Sequence, residues 1–159
     1  MRTKLTGAGA VAVLIALAGC GSSDPPETPA ACLTPADSYL EALQTAPGEV
    51  RLDGTTAISS CLVPDQDPGP LQTVGKSVVD AATELNGDVR SSGSERATVE
   101  LGYLVGAVQE GAAATDGIHR DLILRLDSAA RFTGPGGEPF GAAFERSFGE
   151  GYAAGQAGG

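Results

Sequence analysis

Apolar residues at three- and four-residue steps predict three long helices in the second half of the chain. The first spans about 71–90 and the third about 118–132. Between them, a helix over about 94–116 begins at Ser94, a residue that commonly caps a helix N-terminus. Each stretch repeats its apolar positions with a period near 3.6, so each is expected to bury one face.

Shorter elements precede these helices. Thr34 is the expected N-cap of a helix that has Pro35 at its first position and ends before Pro47. A short irregular or hairpin segment is predicted near 49–57, where apolar and polar residues alternate up to an Asp-Gly pair. The three prolines within 63–70 indicate a surface loop.

A last helix is predicted around four aromatic residues at four-residue steps. They are Phe140, Phe144, Phe148 and Tyr152. Each step adds about 40° to a full turn, so the rings spread over about 120°, the width of one helix face. The pattern predicts a core-facing stripe, and the alternative is an exposed surface that binds a partner.

The short connections between these segments predict an all-α fold, a compact bundle of about four to five helices. The helical domain is expected over 32–155, with a frayed tail at 156–159. Neither an internal repeat nor a second domain is visible in the sequence.

The first nineteen residues have the layout of a lipoprotein signal peptide, expected over 1–19. Two basic residues precede an apolar run that is too short to span a bilayer, and the sequence LAGC follows at 17–20. This lipobox predicts cleavage before Cys20 and a diacylglycerol on its thiol. The alternative is an ordinary secretion signal that is cleaved after Ala18.

These features place the protein on the extracytoplasmic face of the cell membrane, where a lipoprotein with several acyl chains such as palmitate is held durably. Residues 20–31 are rich in proline, serine and acid and predict a flexible tether.

Loss of Arg2 and Lys4 with the signal changes the formal net charge from −10 to about −12. A surface this acidic repels the phosphates of nucleic acid, so nucleic acid is not an expected partner. The expected partners are the membrane, through the lipid on Cys20, and a protein of the cell envelope.

Two cysteines remain once Cys20 carries lipid. Cys32 and Cys61 form an even pair in an exported protein, which predicts a disulfide. Closure of the loop between them would contribute about 3–4 kcal/mol to stability. A reactive or metal-binding thiol pair is the alternative, against which the wide spacing and the single histidine argue.

Several segments within about 50–155 resemble a family of small exported proteins and lipoproteins from actinobacteria. The resemblance is carried by LQTVG at 71–75, AATELN at 81–86, LGYLVGA at 101–107, GIH at 117–119 and AAR at 129–131. It implies export and a helical fold. It implies neither an activity nor a site residue.

His119 is the chain's single histidine and the first candidate for chemistry. It is interpreted as an ordinary polar residue in a solvated first helical turn, beside Asp116 and Arg120. The alternative is a catalytic or pH-sensing His119. A small envelope enzyme, hydrolase-like, would use His119 or helix-borne carboxylates, although no nucleophile elbow occurs in the sequence.

No metal site and no cofactor are predicted, since calcium-loop, zinc and nucleotide signatures are missing from the sequence. Asp65 and Asp67 are interpreted as solvated loop acids, with a weak calcium site as the alternative.

Gly102 and Gly106 indicate close approach of a neighbouring helix. A membrane dimer and a small-ligand groove are the alternatives for this pair. The function expected is a binding or protein-interaction module, and the alternative is the envelope enzyme.

Overall fold

The computed structural model describes residues 27–131 and 141–159. These residues form an all-α bundle, as predicted, with 3₁₀ turns at Ala30–Leu33 and Ser59–Cys61. The five helices are α1 (Ala36–Leu43), α2 (Pro68–Ser92), α3 (Glu95–Ala113), α4 (Arg120–Ala129) and α5 (Ala142–Gly158). Within the described ranges, no helix has the length and hydropathy needed to cross a membrane. The predicted signal at 1–19, Cys20 and Phe140 lie outside the described residues.

Helix α3 lies at the centre of the bundle. Every residue over 100–108 is buried, because α2, α4 and α5 all pack against this helix. A helix surrounded in this way must be apolar or small on all sides, and the sequence LGYLVGAV at 101–108 meets that requirement. The carboxylate of Glu100 is paired with Arg96 at 2.8 Å. Ser94 caps the helix as predicted, and its hydroxyl oxygen accepts the Ala97 N–H at 3.1 Å.

The remaining helices complete the core around α3. Helix α2 packs against α1, α3 and α4, and α4 also contacts α3. Side chains from all of these elements meet in one apolar cluster, which includes Tyr39, Leu43, Ile58, Val74, Val78, Leu85, Leu101, Leu104, Leu122 and Leu126.

The predicted hairpin segment near 49–57 is a single tight turn. The Leu52 N–H donates to the Thr56 carbonyl at 2.8 Å, and the two residues form an isolated bridge. Asp53 has a φ of 52° in this turn. Hydrogen bonds from the Thr56 backbone and the Thr55 side chain hold the pKa of the Asp53 carboxyl below its usual value.

The packed part of the chain begins earlier than predicted, and so does α2. Thr28 is buried, and the turn Ala30–Leu33 begins within the predicted tether at 20–31. Helix α2 begins at Pro68, inside the predicted loop over 63–70. Proline is tolerated there because the first N–H groups of a helix have no intrahelical partner.

The C-terminal end also differs from the prediction. Helix α5 continues to Gly158, so residues 156–159 are not a frayed tail. The Arg51 guanidinium donates to the Gly158 carbonyl at 2.8 Å, and the Ser59 hydroxyl donates to the Gly159 carbonyl. Contacts with residues about a hundred positions away therefore hold this end against the domain.

Candidate functional site

The predicted disulfide between Cys32 and Cys61 is confirmed, with an S–S distance of 2.01 Å. It joins the 3₁₀ turn before α1 to the 3₁₀ turn before α2. The Tyr39 hydroxyl donates to the Cys32 carbonyl at 2.8 Å, and burial raises the pKa of Tyr39 far above its usual value. Both sulfur atoms take part in this bond, so neither is a free thiol in the structure.

His119 is buried, so its predicted place in a solvated first turn is wrong. It precedes α4 directly and is 1 % exposed. The two residues before Ile118, Asp116 and Gly117, have φ values of 50° and 84°. This pair of left-handed residues reverses the chain tightly after α3 and leaves the histidine ring inside the protein.

Both ring nitrogens of His119 have partners. Nδ1 lies 2.7 Å from Thr115 Oγ1, and Nε2 lies 2.6 Å from Gln66 Oε1. The Gln66 amide also donates to Thr28 Oγ1 at 2.7 Å and to the Cys61 carbonyl at 2.9 Å. We call Thr28, Gln66, Thr115 and His119 the His119 network. Sequence reasoning missed the three partners. Thr28 and Gln66 are far from His119 in the chain, and no pattern marks Thr115, which is only four positions before it.

Hydrogen-bond accounting assigns the protons of this network. The Cys61 carbonyl can only accept a hydrogen bond, so the Gln66 atom beside it is the amide nitrogen. The Gln66 oxygen Oε1 therefore faces the histidine ring. Because Oε1 can only accept, His119 Nε2 carries a hydrogen. In a neutral ring, Nδ1 then accepts the Thr115 hydroxyl. In a protonated ring, Nδ1 donates, and the Thr115 hydroxyl turns to the Ala112 carbonyl, 2.7 Å away.

The surroundings of His119 favour the neutral ring. Burial lowers its pKa below the usual value of 6.5. A general base must come within hydrogen-bond reach of the proton it removes. Because both nitrogens are engaged inside the protein, the geometry argues against catalysis by His119. A structural or pH-sensing role fits the same contacts.

The acidic residues within 27–131 and 141–159 do not gather into a metal site. Among the residues that the structure describes, no three His, Cys, Asp or Glu side chains form a group that could hold a metal ion. Asp65 and Asp67 are both exposed, as solvated loop acids would be. A cleft of about 760 Å³ beside α1 and α2 is lined by charges of both signs, including Arg125 and the ion pair between Lys76 and Asp80.

The stripe of Gly102 and Gly106 on α3 is covered by α5. A Cβ at Gly102 would overlap the carbonyl oxygen of Phe148, and one at Gly106 would overlap that of Tyr152. The predicted close approach of a neighbouring helix is therefore observed. Since α5 already occupies the stripe, this surface is neither a ligand groove nor a free dimer face.

Helix α5 contributes a matching pair of glycines. A Cβ at Gly151 would overlap the Val99 carbonyl oxygen, and one at Gly155 would overlap the carbonyl oxygen of Tyr103. We call these facing glycines of α3 and α5 the glycine seam. Sequence reasoning missed the α5 half, although a Gly-x-x-x-Gly spacing at 151–155 repeats the spacing on α3.

Phe144, Phe148 and Tyr152 form a row of stacked rings on α5, which we call the aromatic row. Successive ring centroids are 5.7 and 6.1 Å apart, with interplanar angles of 15° and 23°. All three side chains are half-buried. The Tyr152 hydroxyl donates to Gln109 Oε1 on α3 at 2.6 Å.

The buried face of α5 consists of small residues. They are Ser147, Gly151 and Gly155, one turn apart along the helix. The aromatic row lies beside this face and packs against the edge of the core. The rings therefore combine a contact with the core and a partly exposed surface, whereas the sequence had set core and surface as alternatives.

Comparison of the chain with protein-family models, with curated proteins and with solved structures finds no match. The resemblance to small exported actinobacterial proteins stays a prediction.

Proposed function

We propose that the protein is a lipid-anchored module on the extracytoplasmic face of the cell membrane, and that it binds a protein of the cell envelope through the aromatic row. The expected lipid on Cys20 supports this location. The observation that carries the binding function is the partial exposure of three stacked rings on a helix whose buried face is made of small residues.

Aromatic rings suit a docking surface. They offer a large apolar area with little side-chain freedom to lose, and they are enriched at the energetic centres of protein interfaces. The faces of Phe148 are turned toward its two neighbours in the row. A partner at the middle of the row would therefore meet the edge of Phe148, and an apolar or aromatic groove accommodates a ring edge well.

The charge around the row indicates the character of the partner. Glu145 and Glu150 are exposed on α5, and Glu110 is exposed on α3. Arg146 is an exposed base on α5. An apolar groove with basic residues at its rim would complement this surface, and complementary rim charges speed association and help to exclude wrong partners.

The contacts of His119 and of the two cysteines also favour binding over catalysis. His119 is enclosed by the His119 network, and both of its nitrogens have partners. Cys32 and Cys61 are bonded to each other. Of the residues that the sequence offered for chemistry, these three make their contacts inside the domain.

Crosslinked pull-down from intact cells tests the proposal with the full chain. The wild type should enrich one envelope protein, and Phe144→Ala and Phe148→Ala should each reduce that enrichment strongly. The matched control is Gly87→Ala, an exposed position on α2 where a Cβ would meet nothing within 4 Å. The control should capture as much partner as the wild type.

Thermal unfolding distinguishes lost contact from lost fold. Loss of a half-buried ring should cost about half of the 3–5 kcal/mol typical of a buried phenylalanine, so the variants are expected to stay folded. Equal capture of the same protein by both phenylalanine variants and the wild type would refute the aromatic row as the binding surface.

A further inference from the structure

A cavity of about 360 Å³ lies where the end of α2 meets the beginnings of α3 and α5. Its volume is within the range of about 300–1,000 Å³ that is typical of small-molecule sites. Val89, which is buried, and Phe144, which is half-buried, give the cavity an apolar wall. Thr98 also lines it, and its hydroxyl donates to the Ser94 carbonyl at 2.8 Å. The cavity therefore offers the apolar part of a ligand a place out of water.

Two side chains of opposite charge line the same cavity, Glu95 at the beginning of α3 and Arg146 on α5. Both are exposed. Within the part of the chain that the structure describes, the ion pairs are those of Arg51, Lys76 and Arg96, and neither cavity residue takes part in one. A ligand that carries both charges can therefore pair with both side chains.

Ser147 holds the Glu95 carboxylate at the cavity. The serine is 6 % exposed and lies on the buried face of α5, and its hydroxyl donates to Glu95 Oε1 at 3.1 Å. An ionised carboxylate has about four acceptor positions on its two oxygens, so this contact leaves Oε2 for another donor. A carboxylate that is already held in place loses less side-chain freedom when a ligand binds.

We propose that this cavity binds a small apolar zwitterion, the chemistry of a free apolar amino acid or of a short apolar peptide. The ammonium of the ligand would lie against Glu95, and its carboxylate would accept hydrogen bonds from Arg146, whose guanidinium can donate two in parallel. Its apolar body would cover Val89 and Phe144. A ligand that lacks either charge would lose a charge-assisted hydrogen bond, which corresponds to about tenfold or more in affinity.

This site adds a small-molecule ligand to the proposed function and does not rest on it. Phe144 belongs both to the cavity and to the aromatic row, so a bound ligand would contact a ring that the envelope partner also uses. Binding of the ligand requires neither the lipid anchor nor the partner. A titration of the purified chain therefore tests the cavity separately from the pull-down.

NMR titration of the full chain with leucine and with leucyl-leucine tests the proposal. Saturable shifts are expected in backbone amides at the cavity, such as those of Gly93, Glu95 and Ser147, and none in the turn over 52–56. The tighter of the two ligands shows whether the cavity takes a free amino acid or a short peptide.

Two analogues of leucine are matched controls for its charges. Isocaproate lacks the ammonium, and isopentylamine lacks the carboxylate. Each should bind about tenfold or more weakly than leucine. Equal binding of leucine and either analogue, or no saturable shift with leucine and leucyl-leucine, would overturn the proposal.

Glutamine variants test the two charged residues. Glu95→Gln and Arg146→Gln should each weaken binding of the tighter ligand about tenfold or more, and the new amide in Glu95→Gln can still accept the Ser147 hydroxyl. Glu110→Gln and Arg120→Gln change the charge equally at exposed positions outside the cavity and should bind as the wild type does. Unchanged affinity in both cavity variants would contradict the site. The analogue titrations use the unaltered chain, so they decide the matter even where a variant fails to fold.

Discussion

Alanine in place of Gly151 should destabilise the protein, although alanine is the better helix former. Its Cβ would overlap the Val99 carbonyl oxygen and lie 2.8 Å from the Val99 carbonyl carbon and 2.9 Å from the Tyr103 nitrogen. All three are backbone atoms of α3, so no side-chain rotation relieves the contact. Helix α5 would have to move away from α3, and the glycine seam would open.

Two opposing contributions set the size of this effect. Heavy atoms pack favourably at about 3.5–4.0 Å, so relief of the overlap with the Val99 oxygen would require a shift of about 1.5 Å in α5. Overpacking costs about 1–3 kcal/mol, and a clash between two backbones belongs at the upper end. The higher helix propensity of alanine offsets about 1 kcal/mol. The net loss in the free energy of unfolding is about 2 kcal/mol, or about 4–8 °C in Tm.

Gly149 supplies the matched control on the same helix. It is exposed, and a Cβ there would meet nothing within 4 Å. Gly149→Ala should therefore gain only the higher helix propensity of alanine, which should stabilise the protein by about 1 kcal/mol. Urea unfolding followed by circular dichroism measures both variants, which should differ by about 3 kcal/mol. Equal stabilities for the two variants would show that α5 does not pack through the glycine seam.

Two further predictions concern the cysteines. Cys20→Ala should abolish incorporation of a fatty-acid analogue and leave the chain unprocessed or released from the membrane; a variant that is still labelled and membrane-bound would contradict the anchor. In the exported protein, alkylation without reductant should leave Cys32 and Cys61 unmodified by intact mass, and reduction should lower the free energy of unfolding by about 3–4 kcal/mol. Ready alkylation of both thiols before reduction would contradict the disulfide.

Local signals predicted the long helices well. Ser94 caps α3 as expected, because a cap depends on a side chain and an amide only three residues apart. The apolar spacing over 71–90 predicted most of α2. The Asp-Gly turn after Leu52 also formed where the alternation of residues indicated it. Each of these features is decided within a few residues of chain.

Two of the predictions that were wrong, for His119 and for residues 156–159, depend on contacts between distant segments. Charged residues flank His119 in the sequence, which favoured an exposed turn. The ring is instead buried, and it contacts Gln66, which lies 53 positions away in the chain. Glycine-rich ends normally fray, but residues 156–159 are held by Arg51 and Ser59. No pattern in the sequence near either site announces these partners.

By itself, the sequence determined which segments are helical, because helix formation is governed by residues three and four apart. It also indicated the Cys32–Cys61 pair, because these two cysteines remain once Cys20 is assigned to the lipid. Only the tertiary structure decided which face of α5 is buried. Burial of the aromatic row would remove more apolar area from water than burial of Gly151 and Gly155, yet the glycines lie on the buried face. Two helix backbones can approach this closely only where both surfaces lack side chains, so the seam turned the small residues inward and left the rings half-exposed at its edge.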